Sequence, residues 1–296
     1  MSYFTIKCLF ICCLLSFSLW IIIERGDEMY NYDYHLHTEF SIDSSESMEN
    51  MIEKAIELGL DEIAVTDHED YTAPFMPYPH NESYEAYYSR FLQLKEKYSS
   101  KILLTLGVEI GLGTDLKETI AEFVKKMPFD FIIGSIHGVD SDDDLYQQTF
   151  FSGKSKDEAY LRYYQHLLNC IKTTGNFNVV GHFDYVSRYA TCENPQHEYT
   201  DYKSIVDEIL SELIRRGKGI ELNTSGFRYG LGQVHPKIEF LKRYKELGGE
   251  ILTIGSDAHN KECICQNFDK AYEMLELAGF KYVTVFRQRK PEFVKI

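Results

Sequence analysis

The sequence predicts a single-domain α/β barrel, and three features of the chain support this fold class. From residue 30 onward, short runs rich in β-branched residues alternate with stretches of helical apolar spacing, as in a parallel sheet with crossover helices. Seven such strands follow one another without an internal break. No glycine-rich phosphate loop follows the first strand, which disfavours an open doubly wound sheet. We therefore expect a closed or nearly closed seven-stranded barrel.

The predicted strands and helices alternate along the whole barrel region. The strands span residues 32–35, 62–66, 102–109, 129–136, 178–181, 219–223 and 251–255. The helices between them have apolar residues three and four apart and span residues 47–58, 83–97, 116–126, 156–173, 202–216 and 236–247. Gly59, Gly175 and Gly248 are placed to end helices, because glycine readily adopts the left-handed backbone conformation.

The N-terminal residues 1–28 differ from the predicted barrel domain, residues 29–296. Residues 9–23 are almost wholly apolar, but the run is shorter than the roughly 20 residues of a spanning helix, and no cleavage motif follows it. One interpretation is a signal anchor through residues 9–23. The other is an over-extended start, with Met29 as the natural first residue. We favour the second because the first strand begins directly after Met29, and we expect a cytoplasmic protein that meets a membrane only if residues 1–28 are retained.

Charge and cysteine content restrict the classes of partner and compartment. The chain has 31 basic and 46 acidic residues, a net charge of −15, and no basic block that could follow a phosphate backbone. Nucleic acid is therefore not expected as a partner. A small phosphorylated substrate is compatible with this charge, because bound cations reverse the local field of an acidic site. The seven cysteines lack the spacing of a disulfide framework, which indicates a reducing compartment.

Residues that commonly bind metals lie at the C-terminal ends of the predicted strands. In a parallel barrel these ends meet at one face, where the reacting groups gather. Six of the ten histidines fall there. The residues at the strand ends are, in chain order, His35, His37, Asp67, His68, Glu109, His137, His182, Asn223, Asp257 and His259.

Imidazole and carboxylate together suit zinc, manganese or iron. Glu109 is the natural bridge, since a carboxylate can hold two ions with its two oxygens. His35 and His37 can bind one ion together, because side chains two residues apart share a face of a strand. Each of these residues alone would more often be an ordinary hydrogen-bonded group, but together at the strand ends they predict a polynuclear metal site.

These residues, in this order, resemble the polymerase and histidinol phosphatase (PHP) superfamily over residues 32–259. The motifs are His-Leu-His-Thr at 35–38, Thr-Asp-His at 66–68, Gly-Val-Glu at 107–109, Gly-Ser-Ile-His at 134–137, Gly-His at 181–182 and Gly-Ser-Asp-Ala-His at 255–259. The resemblance implies a distorted seven-stranded, TIM-like (β/α)7 barrel that holds two or three divalent metal ions. Residues 181–185 with Arg188, and residues 223–232 with His235, are similar to the monofunctional histidinol-phosphate phosphatase branch.

The resemblance also implies which residues hold each ion. The ligands would be His35, His37, Glu109 and Asp257 for the first ion, Glu109, His137 and His182 for the second, and Asp43, His68 and His259 for the third. Asp43 stands where some relatives have a histidine, a difference that bears on metal preference and occupancy. Asp67 would lie behind the ligands or transfer a proton.

The activity implied is hydrolysis of L-histidinol phosphate to L-histidinol and phosphate through a metal-activated hydroxide, a step of histidine biosynthesis. We expect Arg188 and Arg228 to clamp the phosphate, because a guanidinium can bind two oxygens at once, and Ser225 to donate a further hydrogen bond. His235 would contact the substrate or protonate the leaving alcohol. In the alternative interpretation, both arginines cover the surface or pair with carboxylates, and His235 only precedes a helix that starts at Pro236.

Two other functions stay open from the sequence. The same metal centre could act on a different small phosphate ester, a nucleotide or phosphotyrosine, since pocket specificity leaves a weaker pattern than metal ligands do. The second alternative is a binding or regulatory protein that has kept the barrel without catalysis, or one that uses metals only for structural support. The complete ligand set argues against it, because structural zinc sites are usually closed four-ligand cages, whereas these ligands converge on an open barrel mouth.

Overall fold

The computed structural model describes residues 31–71, 84–139, 145, 148–190 and 197–296, and the backbone alone over residues 5–13 and 16–24. The strands in the described part are β1 (Thr5–Cys13), β2 (Ser16–Glu24), β3 (Tyr32–Leu36), β4 (Glu62–Val65), β5 (His68–Glu69), β6 (Leu103–Gly111), β7 (Phe131–Ser135), β8 (Val179–Val180), β9 (Gly219–Asn223), β10 (Leu252–Gly255), β11 (Tyr282–Arg287) and β12 (Lys290–Lys295). The helices are α1 (Met48–Glu57), α2 (Tyr84–Tyr98), α3 (Lys117–Lys126), α4 (Lys156–Thr173), α5 (Val186–Tyr189), α6 (Lys203–Arg215), α7 (Ser225–Arg228), α8 (Ile238–Glu246) and α9 (Phe268–Leu277).

The predicted parallel barrel is confirmed. Seven parallel strands pair in the order β10-β9-β8-β7-β6-β4-β3, and the short β5 extends the sheet beside β6. All residues of β3, β4, β7, β9 and β10 are buried, as expected for parallel strands that helices cover.

The barrel is nearly closed where its first and last strands meet. The backbone N–H of His37 donates to the carbonyl of Ala258 over 2.8 Å, and Leu36 forms a parallel bridge with Ala258. These bonds lie just beyond the C-terminal ends of β3 and β10. They bring the first and last predicted ligand motifs side by side.

Helix ends follow the local chemistry of the sequence. Ser47 caps α1 by accepting a hydrogen bond from the backbone of Asn50, and Ser155 and Glu158 form a reciprocal capping box on α4. Gly59 and Gly248 follow α1 and α8 with positive φ angles, in agreement with their predicted role.

Three C-terminal elements were not predicted: α9, β11 and β12. The last two form an antiparallel hairpin after the barrel. From β11, Arg287 donates two 2.6 Å hydrogen bonds to Glu62, which also accepts from the hydroxyl of Tyr34. This buried carboxylate stands at the start of β4, so the hairpin helps to close the N-terminal end of the barrel.

The N-terminal segment joins this hairpin in the structure. Strands β1 and β2 are antiparallel to each other, and β2 runs parallel to β12. Within the described residues, no helix has the length and apolar character needed to cross a membrane. The two interpretations of residues 1–28 stay predictions.

Candidate metal centre

All nine predicted metal ligands converge at the C-terminal face of the barrel. Four overlapping groups have potential ligand atoms within 4.8 Å of one another: His35, His37 and Asp257; His37, His68 and His259; Glu109, His137 and His182; and His68, Asp70 and His137. Because each strand contributes at its C-terminal end, the barrel topology itself assembles this cluster.

Glu109 lies at the centre, and its Oε2 faces three histidines. This oxygen is 3.1 Å from Nε2 of His35, 3.5 Å from Nε2 of His37 and 3.1 Å from Nδ1 of His68. Asp257 completes this side of the site, with Oδ1 3.4 Å from Nε2 of His37 and 3.7 Å from Nε2 of His35. The carboxylate of Asp257 and the imidazoles of His35 and His37 therefore face one another in the buried part of the site.

The other oxygen of Glu109 faces a second pair of histidines. Oε1 is 2.9 Å from Nε2 of His182 and 3.4 Å from Nε2 of His137, and these two nitrogens are 3.4 Å apart. Ser135 donates a 2.5 Å hydrogen bond to the same oxygen. The two oxygens of Glu109 thus belong to different groups of ligands, as a bridging carboxylate requires.

The third group lies nearer to solvent. Asp43 places Oδ2 2.9 Å from Nε2 of His259 and 3.5 Å from Nε2 of His68, and 41% of its side-chain surface is exposed. His68 is buried behind it. Asp43, His68 and His259 thus form a group of potential ligands at the mouth of the barrel.

Unpaired polar atoms test whether this site fits metal ions. Nε2 of His35 and of His37, Nδ1 of His68 and Oε2 of Glu109 are buried and make no hydrogen bond with the residues that the structure describes. Leaving such atoms without a partner is unfavourable, and here four of them face one another. Because nitrogen and carboxylate oxygen are the donors that zinc, manganese and iron accept, the site fits divalent ions.

The charges in the site are strongly coupled. Burial opposes the charged form of Glu109, but His35, His137 and His68 outweigh it and hold the pKa of its carboxyl well below the usual range. For His37, burial and the neighbouring histidines His259 and His68 lower the pKa. These shifts favour the ionised carboxylate of Glu109 and the neutral imidazole of His37, the forms that bind metals. At His35, His68 and His137, burial lowers the pKa but the nearby carboxylates outweigh it and raise the pKa instead.

Asp67 lies behind the ligands. Its carboxylate accepts hydrogen bonds from the backbone N–H of Thr38 at 2.6 Å, from the Thr38 hydroxyl at 2.8 Å and from the Ser41 hydroxyl at 2.7 Å. Ser41 is in turn 3.2 Å from Nδ1 of His37. Burial raises the pKa of Asp67 to about 6, although these hydrogen bonds oppose the shift. Asp67 is thus connected to the predicted ligand His37 by hydrogen bonds through Ser41.

Arg188 lies beside the predicted ligand Asp257, and both Arg188 and Ser225 have a donor without a partner among the described residues. The Arg188 guanidinium lies 3.2 Å from the ring centroid of Tyr229, and its Nη1 is 3.7 Å from Oδ2 of Asp257. Its Nε and the Ser225 hydroxyl are buried, and neither has a hydrogen-bond partner in the described part of the chain. Each group therefore has one donor that no described protein atom accepts.

Arg228 is placed differently from Arg188. Its Nη2 donates to the backbone carbonyls of Ser256 at 3.0 Å and Asp257 at 2.7 Å. Asp257 has a φ of +55°, a left-handed conformation that is uncommon outside glycine. Arg228 thus supports the turn that carries a predicted ligand.

His235 is fully buried and pairs with Asp184. Its Nδ1 lies 2.5 Å from Oδ1 of Asp184, whereas its Nε2 has no hydrogen-bond partner among the residues described. Burial disfavours the charged carboxylate, but His235 outweighs burial and lowers the pKa of Asp184. The backbone of His235 exchanges two hydrogen bonds with Asn223, which ties this pair to the end of β9.

Comparison with known proteins identifies the family. The PHP domain matches residues 33–225. This chain belongs to the PHP domain family. It is 32% identical to a histidinol-phosphatase of Lactococcus lactis over 88% of this chain and 96% of the relative. It is 35% identical to a probable histidinol-phosphatase of Clostridium acetobutylicum over 85% of this chain and 95% of the relative.

A solved PHP structure has the same fold. The L. lactis histidinol phosphate phosphatase, crystallised with zinc, L-histidinol and phosphate, superposes with a TM-score of 0.83 at 31% identity, covering 90% of this chain and all of that one. A putative histidinol phosphatase from Listeria monocytogenes, at 21% identity and a TM-score of 0.68, supports the fold alone.

The PHP match ends before two of the predicted ligands. Asp257 and His259 lie beyond residue 225, yet the structure brings both into the same cluster. The bridge between Leu36 and Ala258 explains how, since it joins the last strand of the barrel to the first.

Sequence reasoning missed two carboxylates of the PHP site. Asp70 places Oδ2 2.8 Å from Nδ1 of His137, and Glu221 places Oε1 2.6 Å from Nδ1 of His35. Each stands two residues from a strand-end residue that was singled out, Asp70 after His68 and Glu221 before Asn223. Because residues two apart share a face of a strand, this spacing could have found both.

Proposed function

We propose that this PHP protein is a metal-dependent phosphomonoesterase that hydrolyses L-histidinol phosphate to L-histidinol and phosphate. The observation that carries the proposal is the buried cluster of histidine and carboxylate atoms that face one another without hydrogen bonds. The names of the relatives support the substrate: the L. lactis structure contains L-histidinol and phosphate, and the two sequence relatives are named a histidinol-phosphatase and a probable histidinol-phosphatase.

The site would hold two or three divalent ions, of zinc, manganese or iron. Zinc has direct support from the L. lactis enzyme. The proposed ligands are His35, His37, Glu109 and Asp257 for the first ion, Glu109, His137 and His182 for the second, and Asp43, His68 and His259 for the third. When bound, such ions lower the pKa of water and offset the negative charge of a phosphoryl group.

The protein's own residues would bind and orient the phosphate. Arg188 is a suitable clamp, because its guanidinium is held on the Tyr229 ring and its Nε has no hydrogen-bond partner among the described residues. Ser225 can donate its unpaired hydroxyl proton to a phosphate oxygen. Arg228 was expected to contact the phosphate directly. Its bonds to the Ser256 and Asp257 carbonyls favour an additional supporting role.

Two residues are candidates for proton transfer. His235 would donate to the leaving alcohol, or contact the substrate, through its unpaired Nε2, while Asp184 holds the opposite nitrogen. Asp67 would accept or release protons through the chain of hydrogen bonds that links it by Ser41 to His37. Both are proton-carrying groups of the type found in hydrolases.

The deciding experiment is phosphate release from L-histidinol phosphate, with metal content measured on the same sample. The panel should include a sugar phosphate, a nucleotide and phosphotyrosine. A strong preference for L-histidinol phosphate would support the proposal. Faster release of phosphate from another ester would be compatible with the proposed metal mechanism but would assign a different substrate. No turnover by the fully metallated protein would favour a barrel that binds without catalysis.

The chain start and location need a separate measurement. We infer a cytoplasmic enzyme that starts at Met29, acts on a small phosphorylated molecule and does not bind nucleic acid. Mass spectrometry of the native N terminus tests the start. Detection of peptides from residues 1–28 in membrane fractions would contradict it and favour the anchor.

A further inference from the structure

Glu221 is a buried carboxylate on β9 that contacts two predicted ligands belonging to different ions. It is the middle residue of the strand, two residues before Asn223, and is fully inaccessible to solvent. The proposed function gives it no role. Its three hydrogen bonds nevertheless join three segments of the site.

The two oxygens of Glu221 have different partners. Oε1 accepts a 2.6 Å hydrogen bond from Nδ1 of His35. Oε2 accepts from the backbone N–H of His182 at 2.9 Å and from the side-chain amide of Asn223 at 3.0 Å. Asn223 in turn accepts a 2.9 Å hydrogen bond from the backbone N–H of Ser225.

The bond to His35 determines which of its ring nitrogens is free. With the proton on Nδ1 directed at Glu221, the lone pair of Nε2 points toward Glu109 and Asp257, where a metal ion would bind. A group that donated to Nδ1 would favour the opposite tautomer and leave a proton on Nε2. Glu221 thus selects the form of His35 that can act as a ligand.

The bond to His182 stabilises an unusual backbone conformation. His182 has a φ of +22°, which residues other than glycine rarely adopt, and its N–H would otherwise be a buried donor without a partner. This conformation directs its Nε2 toward Oε1 of Glu109, 2.9 Å away. The same carboxylate thus orients a ligand of the proposed second ion.

The neighbouring strand leaves room for this arrangement only because it has glycine at position 255. A Cβ atom there would overlap Oε1 of Glu221 and Cβ of His35. The glycine of the Gly-Ser-Asp-Ala-His motif therefore allows Glu221 and His35 to approach each other.

We propose that Glu221 is a positioning residue that couples the first and second metal sites by fixing the His35 tautomer and the His182 backbone. This inference rests on the proposed metal centre. It predicts that changing one atom of Glu221 alters metal affinity without altering the set of ligands.

Glu221→Gln is the sharpest test. Because Oε2 accepts two hydrogen bonds, the amide oxygen should take that place and the NH2 group should face Nδ1 of His35. His35 would then carry its proton on Nε2. We expect zinc affinity to fall about 10- to 100-fold, the usual effect of losing a partner behind a metal ligand. Titration of the metal-free full chain with Zn²⁺ against a chromophoric chelator measures this, and elemental analysis counts the ions.

Glu62→Gln is a matched control. Glu62 is also a fully buried carboxylate of the barrel, but its described partners are Tyr34, Thr105 and Arg287 at the opposite end. We expect it to lower the melting temperature while zinc affinity stays at the wild-type value. Excess zinc should restore turnover of Glu221→Gln, since its ligands are intact; damage to the fold would not be rescued this way.

The outcomes separate this inference from the proposed function. If Glu221→Gln binds zinc as tightly as the wild type and the control Glu62→Gln do, the positioning role is overturned and the proposed metal centre is retained. Failure of the wild type to bind zinc would overturn both. Weak zinc binding by Glu221→Gln with turnover rescued by excess zinc would support the proposal.

Discussion

At the residue scale, Glu109 determines how the charges of the site are balanced. Its two oxygens face five histidines, namely His35, His37, His68, His137 and His182. It is buried, so its charge is stabilised by these groups and not by water. The ligands on either side of it should therefore depend on one another, and loss of one should weaken metal binding beyond its own contact.

His35→Ala should remove the first ion and nearly all turnover. Loss of a hydrogen-bond partner behind a metal ligand lowers metal affinity or activity about 10- to 100-fold. Loss of the ligand itself should therefore reduce turnover at least about 100-fold. Metal content and phosphate release measure the effect. His166→Ala, at a buried histidine on α4 outside the metal cluster, controls for loss of a core imidazole. Wild-type turnover in His35→Ala would remove this residue from the ligand set.

The two arginines predicted to clamp phosphate should give different defects. Arg188→Ala should lower kcat/KM about 10- to 100-fold at unchanged metal content, because hydrogen bonds to charged groups contribute about 1.5–3 kcal/mol. Arg228→Ala should instead reduce metal content, since Arg228 holds the carbonyls of Ser256 and Asp257. Steady-state kinetics and elemental analysis on both variants test this. Equal metal loss in the two would contradict the distinction.

At the element scale, the helix and strand positions follow local sequence chemistry closely. Strand β9 has the predicted bounds of 219–223, and α4 those of 156–173. Strand β8 is shorter than predicted, Val179–Val180, because only these residues pair with both neighbouring strands. The C-terminal hairpin was missed because its antiparallel strands depart from the repeating β/α unit on which the prediction rested.

Substitutions at two glycines can distinguish the effect of backbone conformation on stability from the effect of packing. A Cβ at Gly59 or at Gly175 would meet no atom within 4 Å, but only Gly59 has a positive φ, of 73°. Gly59→Ala should therefore destabilise the protein by about 1–2 kcal/mol, the usual cost of a left-handed conformation for a residue with a Cβ. Gly175→Ala should be neutral or slightly stabilising. Denaturant unfolding measures both, and equal effects would contradict this explanation.

At the scale of the whole molecule, packing between distant segments controls the polar groups in the interior. His197 packs against Tyr160 of α4 and Phe240 of α8, and its Nε2 is 2.7 Å from the Tyr164 hydroxyl. Burial lowers the pKa of His197 to about 4. The folded protein therefore holds this imidazole neutral at pH values where the unfolded chain would protonate it.

This shift predicts how stability depends on pH. The unfolded pKa of histidine is about 6.5, so the contribution of His197 is fully present above that pH and is lost as pH falls toward 4. His197→Gln should lose less stability than the wild type between pH 6.5 and 4, by up to about 3 kcal/mol. Denaturant unfolding at several pH values, with metal held constant, measures the difference. If the stabilities of the wild type and His197→Gln change equally with pH, the pKa of His197 is not lowered in the folded protein.

The sequence by itself determined the fold class and the identity of the predicted ligands. Strand and helix periodicity predicts a parallel barrel, and a parallel barrel brings the C-terminal ends of its strands together. The resemblance to the PHP superfamily implied which residues at those ends, together with Asp43, are the ligands. Only the tertiary structure decided which groups support those ligands. His35 and Glu221 are 186 positions apart, and Arg228 meets Asp257 on another strand's turn. Such pairs depend on strand register and side-chain direction, which are set by packing across the barrel and not by the order of residues along the chain.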